Sequence, residues 1–205
     1  RLDDHIKRLF KSADIYKMEV PVTSDVLKQG CMDIVTKNGY LDCYIRPLVF
    51  YGYDTLGVHP NECPVQVAIA GFYWGAYLGD DGIVNGVRIT VSPWQKSSSA
   101  ALPSIAKASG HYMNSLLSVT DAKRRGFDEA LLLNTSGNIA EGSGQNIFLV
   151  KNGELFTNDE NSDILMGITR ESIIQLAMEM GITVHIGNIT VDDLKNSDEA
   201  FFTGT

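Results

Sequence analysis

No apolar run in this sequence approaches the ~18–20 residues that a membrane-crossing helix needs, so no membrane partner is expected. Positive charge is scarce. Lys and Arg number 17 against 25 Asp and Glu, and the net charge of −8 disfavours nucleic acid and anionic surfaces as partners. Cysteine is scarce too. Cys31, Cys43 and Cys63 are an odd number without CxxC spacing, which argues against a disulfide framework or a structural zinc and for a reducing, cytoplasmic setting. His5, His59, His111 and His185 are scattered, so no metal is expected. There is no P-loop, nucleophile elbow, dinucleotide fingerprint or internal repeat. A secretory leader pattern is also missing. Both ends fall inside patterned segments: Arg1 stands in an amphipathic stretch and Thr205 just after "EAFF". The chain is therefore expected to lack its natural N- and C-terminal segments.

What is there suits a chain with a real core: 44% of the 205 residues are hydrophobic, enough for one large domain or two small ones. Leu2, Ile6, Leu9, Phe10 and Ala13 recur at helical spacing. "TSDVLKQGCMDIVTKNG" reads as a second helix, capped by Thr23 or Ser24 and ended by Gly39. "YLDCYIRPLVFYG" and "CPVQVAIAGFYW" read as strands. The glycines of "WGAYLGDDG" suggest a linker, placing a smaller domain at 1–71, a linker at 72–82 and a larger domain at 83–205. The second part reads as the strand "GVRITVS", a loop, a helix near 110–124, the strands "EALLLNT", "GNIAEG" and "QNIFLVKNGELFT", the helix "ITRESIIQLAMEMG", the strand "ITVHIG", a helical turn near "VDDLKNS" and the strand "EAFF". Strands and helices mix without a regular βαβ rhythm, which predicts an α+β fold.

Four features point to chemistry. Lys107 stands among Ile105, Ala106, Ala108, Ser109 and Gly110, with nothing adjacent to pair with it. Burial among such residues disfavours the ammonium, and a neutral amine attacks a carbonyl to form a Schiff base; a solvated surface lysine is the plainer alternative. In "LMGITRES", Gly167 frees the backbone and Ile168 and Thr169 open a helix whose first N–H groups and dipole suit a phosphate, or simply water. Glu141, between an apolar strand and a glycine turn, is either an exposed hairpin residue or a carboxylate facing a cofactor. Tyr44 and Arg46 share a strand face, where the arginine needs an anionic ligand or a structural salt bridge.

Six segments in order, "HIKRL", "YIRPLVF", "WGAYLG", "AKASGHYMNSLL", "EGSGQNIF" and "GITRESII", resemble the class IV aminotransferases, the fold-type IV enzymes that use pyridoxal 5'-phosphate. The resemblance covers nearly the whole chain and is strongest to the branched-chain amino acid aminotransferases. It implies a two-domain, D-amino acid aminotransferase-like fold that moves the amino group of leucine, isoleucine or valine to 2-oxoglutarate. It implies a homodimer or a higher assembly of dimers. By position, Lys107 matches the lysine that binds the cofactor covalently, Tyr112 the tyrosine on its phenolic oxygen and Glu141 the acid paired with its ring nitrogen. Arg8, Ile168, Thr169 and Thr205 match the phosphate cup. Tyr44, Arg46, Tyr77 and Thr205 match substrate-pocket positions, and Leu56 and Val58 a loop that reaches into the neighbouring subunit's pocket. Met166 stands where many relatives have proline, and "WQK" where an arginine often follows the tryptophan. A D-amino acid aminotransferase, an amine transaminase or an aminodeoxychorismate lyase is the alternative within the fold; a non-catalytic phosphate-ligand binding protein is the alternative outside it.

Overall fold

The helical spacing at the start of the chain becomes α1 (Leu2–Ile15), with Asp3 and Asp4 in its first turn, where the helix dipole favours negative charge. The computed structural model describes residues 1–60, 62–75 and 78–205. Of the two candidate caps for α2 (Ser24–Asn38), Thr23 takes the role: its hydroxyl accepts from the Val26 N–H. Gly39 closes the helix in the left-handed region at φ 67°, a conformation that favours glycine. The strands β1 (Tyr44–Tyr51) and β2 (Val65–Phe72) form an antiparallel pair, with Tyr44 opposite Phe72 and Tyr51 opposite Val65. Ile45, Val67 and Ile69 pack on Ile6, Leu27 and Cys31 of the helices. Period-two alternation therefore turns Tyr44, Arg46, Leu48 and Phe50 to the other face.

The chain divides into two compact units, Arg1–Ile83 and Val84–Thr205. Where the sequence suggests a linker, Gly79–Asn85 forms a short helix, α3.

In the second unit, β3 (Ile89–Val91) runs parallel to β4 (Glu129–Leu133), and β4 pairs antiparallel with β5 (Ile139–Gly142). A second sheet has the order β8-β7-β6-β9, built from β6 (Asn146–Lys151), β7 (Glu154–Thr157), β8 (Val184–Ile186) and β9 (Glu199–Thr203). β6 is antiparallel to both of its neighbours, while β7 and β8 are parallel. The mixture of pairings, interleaved with helices, makes the class α+β. Alternation along β6 divides the core in two. Ile147 and Leu149 pack with Leu131, Ile139 and Ile189 on one side. Phe148 packs with Leu155 and Ala177 on the other, where Ile173 and Ile174 of α5 (Ile168–Glu179) join them. Burying a side chain such as Phe148 contributes about 1.5–3 kcal/mol. The helix α4 (Tyr112–Arg124) follows a 3₁₀ turn at Ser109–His111, and the short α6 (Val191–Lys195) carries a capping box from Thr190 and Asp193.

Candidate active site

Lys107 is exposed, which corrects the expectation that small neighbours bury it. The same small residues let the chain turn sharply through Ser109–His111, which brings Tyr112 back to Lys107. The Lys107 Nζ donates to the Tyr112 hydroxyl at 2.8 Å and lies 5.5 Å from that ring's centre, so the lysine does have a close partner in sequence.

Glu141 is a buried residue of β5, not an exposed hairpin residue. Three donors converge on it. Lys96 Nζ lies 2.5 Å from Oε1, while the Asn146 side-chain amide and the Leu165 backbone N–H donate to Oε2 at 3.3 and 3.2 Å. Burial pushes the Glu141 carboxyl above its ordinary range, and Lys96 opposes that push most strongly, with Leu165 and the Lys107 charge adding to the opposition. Neither Lys96 nor Asn146 stands out in the sequence as a site residue. The signal for Lys96 lies only in the departure "WQK", and its partner is 45 residues away.

Asn146 joins this cluster to α5. Its amide also donates to the Leu165 carbonyl at 2.8 Å, and its side-chain oxygen occupies the place where a Cβ on Gly167 would stand. Gly167 is the N-cap of α5 with φ −69° and ψ 137°, angles open to any residue. The glycine is needed for room, not for backbone freedom, which corrects the sequence reading. It leaves the helix start without a capping side chain, and Ile168 and Thr169 form its first turn. Arg170, one residue further on, is buried and donates to the Asn158 carbonyl. Thr205 follows β9 through Gly204, whose Cα side lies against Gln145 and Gly144 in the turn after Glu141.

Arg8 lies on α1 and is half-buried. Tyr44, Phe72 and Trp74 form an aromatic cluster with ring centres 4.9–5.7 Å apart. The Arg46 guanidinium lies over Tyr44 at 5.2 Å and Trp74 at 5.3 Å. Among the described residues its neighbours are rings, and no carboxylate forms a salt bridge with it. Leu56 and Val58 are fully exposed at 102% and 106%. Tyr77 lies outside the described residues. Also among the described residues, no group of His, Cys, Asp and Glu is arranged to hold a metal, and no helix is long and apolar enough to cross a membrane.

The second unit thus holds a lysine–tyrosine pair, a buried carboxylate held by a cation and a helix start opened by glycine. The family described as Amino-transferase class IV matches residues 1–205, and the chain belongs to it. A curated relative, the branched-chain-amino-acid aminotransferase of Escherichia coli (strain K12), is 42% identical over 203 residues, which are 98% of this chain and 66% of that relative. The chain thus spans just under two thirds of that relative's length. The crystal structure of the Escherichia coli branched-chain amino acid aminotransferase superposes with a TM-score of 0.98 at 42% identity, covering 100% of this chain and 68% of that one. The branched-chain amino acid aminotransferase from Thermobaculum terrenum, solved in its PLP-bound holo-form, gives 0.93 at 33% identity, covering 100% and 66%. The fold is that of the fold-type IV aminotransferases.

Proposed function

We propose that this chain carries a pyridoxal 5'-phosphate-dependent transamination of branched-chain L-amino acids with 2-oxoglutarate. The observation that carries the reading is the pair of Lys107 with Tyr112 in the same unit as a buried, cation-held Glu141. These residues fit the cofactor. An exposed amine with a phenol at 2.8 Å suits an aldehyde beside a phenolic oxygen. A buried carboxylate suits a protonated ring nitrogen, and the glycine-opened start of α5 with Ile168 and Thr169 suits a phosphate; Thr205 and Arg8 are assigned to the phosphate by their match to the family. When bound, the cofactor supplies the electron sink for bonds at the substrate α-carbon.

The chain's own residues do the rest. Lys107 Nζ holds the cofactor and then carries a proton to and from the α-carbon. Tyr112 keeps that amine in place through its hydroxyl. Glu141 sustains the positive charge on the ring nitrogen. On the outward face of β1, Tyr44 and its aromatic neighbours offer an apolar wall to a branched side chain, and Arg46 offers a charge to the second carboxylate of glutamate. Tyr77 joins the substrate pocket by its match to the family. Leu56 and Val58, exposed and apolar, fit the subunit contact of a homodimer. Cys31, Cys43 and Cys63 are all free thiols, which suits a cytoplasmic setting.

Lys107→Ala tests the reading. The purified chain with added pyridoxal phosphate is expected to turn yellow and to exchange amino groups between leucine and 2-oxoglutarate; the variant is expected to lose both. Near-full turnover by the variant overturns the assignment of Lys107.

A further inference from the structure

Lys96 is a buried cation that the transamination chemistry leaves unexplained. Only 8% of its side chain is exposed, and lysine is almost never found so deep unless paired. Its backbone is fixed as firmly as its ammonium. The Lys96 N–H donates to the Leu133 carbonyl at 2.8 Å. On either side of it, Asn114 from the first turn of α4 donates to the Gln95 carbonyl at 2.9 Å and accepts from the Ser97 N–H at 3.4 Å. The loop that could have carried a solvated lysine is instead clamped so that Nζ meets Glu141 Oε1.

We infer that Lys96 is a positioning residue: by pairing with Glu141 inside the protein, it keeps a carboxylate rather than a carboxylic acid where the proposed reaction needs negative charge. The inference rests on that reaction. Without Lys96, two neutral donors at 3.2–3.3 Å and the more distant Lys107 would remain to oppose burial. A protonated Glu141 could no longer balance a positive ring nitrogen. The other titratable groups around the pair do not replace Lys96. His111 is held toward its neutral form, first by burial and then by the Lys96 charge itself. Glu129, on the neighbouring strand, is committed to Ser143 Oγ at 2.9 Å and the Ala130 N–H at 2.6 Å.

The test compares the holoprotein with Lys96→Met and Lys96→Arg. In single-turnover reactions with leucine, the methionine variant should react slower near neutrality and recover as pH rises. Its profile should move to higher pH, with roughly a tenfold loss of rate below the midpoint for each unit moved. Arginine restores the charge and should restore the profile. Cofactor-free melting gives a second readout. A carboxyl raised in the folded state contributes stability below its unfolded value and loses it as pH rises through the folded value. The melting gap between unmodified chain and methionine variant should therefore widen from acid toward neutral pH. If methionine alone prevents folding, adding Glu141→Gln removes the carboxyl left unpaired and should restore folding; a pair that folds no better than Lys96→Met alone overturns the inference. An unmoved profile together with a constant gap overturns the inference while leaving the transaminase reading intact. An unmodified chain that takes up no cofactor overturns both.

Discussion

Replacing Gly167 with alanine would put a methyl group onto the Asn146 side-chain oxygen. Asn146 cannot yield cheaply, because its amide is held by the Leu165 carbonyl at 2.8 Å and by Glu141 at 3.3 Å. Forcing an extra methyl into a packed site costs about 1–3 kcal/mol. Displacing Asn146 from one of its bonds adds about 1 kcal/mol. Against this, alanine in a permitted conformation lowers the entropy of the unfolded chain, a gain of about 0.4–1 kcal/mol. The net cost is then about 2 kcal/mol, or about 4–8 °C in melting temperature for a chain of this size. Calorimetry on Gly167→Ala, Asn146→Ala and the double variant isolates the contact. With Asn146 truncated, the obstacle is gone, and Gly167→Ala should become neutral or slightly stabilising. Equal destabilisation in both backgrounds would show that the clash with Asn146 is not the reason for glycine there.

Two more outcomes are expected. Arg46→Ala should lower kcat/KM for 2-oxoglutarate by about 10- to 150-fold, the loss of one hydrogen bond to a charged group, while leucine suffers much less; equal losses in the two half-reactions would make Arg46 a residue of the strand alone. His111, lowered by burial, binds fewer protons in the folded chain than in the unfolded one, so it costs stability as pH falls below its ordinary value of 6.5. His111→Gln should flatten the decline in melting temperature on that acid side, and an unchanged slope would remove His111 from the account.

Local patterns made much of this fold legible. The spacing in α1, the threonine and glycine around α2, and the alternation in β1 and β2 each follow from contacts a few residues apart or from one face meeting a core. α3 does not show in these patterns, because "GDDGIVN" is built of residues with low helix propensity and turn character. The family motifs pointed to Lys107, Tyr112 and Glu141, but not to how they are held. Small neighbours suggested a buried lysine, whereas they serve a tight turn that returns a tyrosine to it. Lys96 lies in a serine-rich loop and looks solvated; only the folding of β5 beside that loop supplies its partner. Gly167 carried a correct signal with the wrong cause, since the side chain it avoids belongs to another strand.

The two tryptophans of the chain fall one to each compact unit, Trp74 in the first and Trp94 in the second. Trp74 lies near Phe72, Tyr44 and the Arg46 cation, and Trp94 follows the strand that pairs with β4. Each is a light-emitting reporter of its own unit. Removing one indole at a time would let fluorescence follow the loosening of either unit separately, and an anion arriving at Arg46 would register in the emission of Trp74.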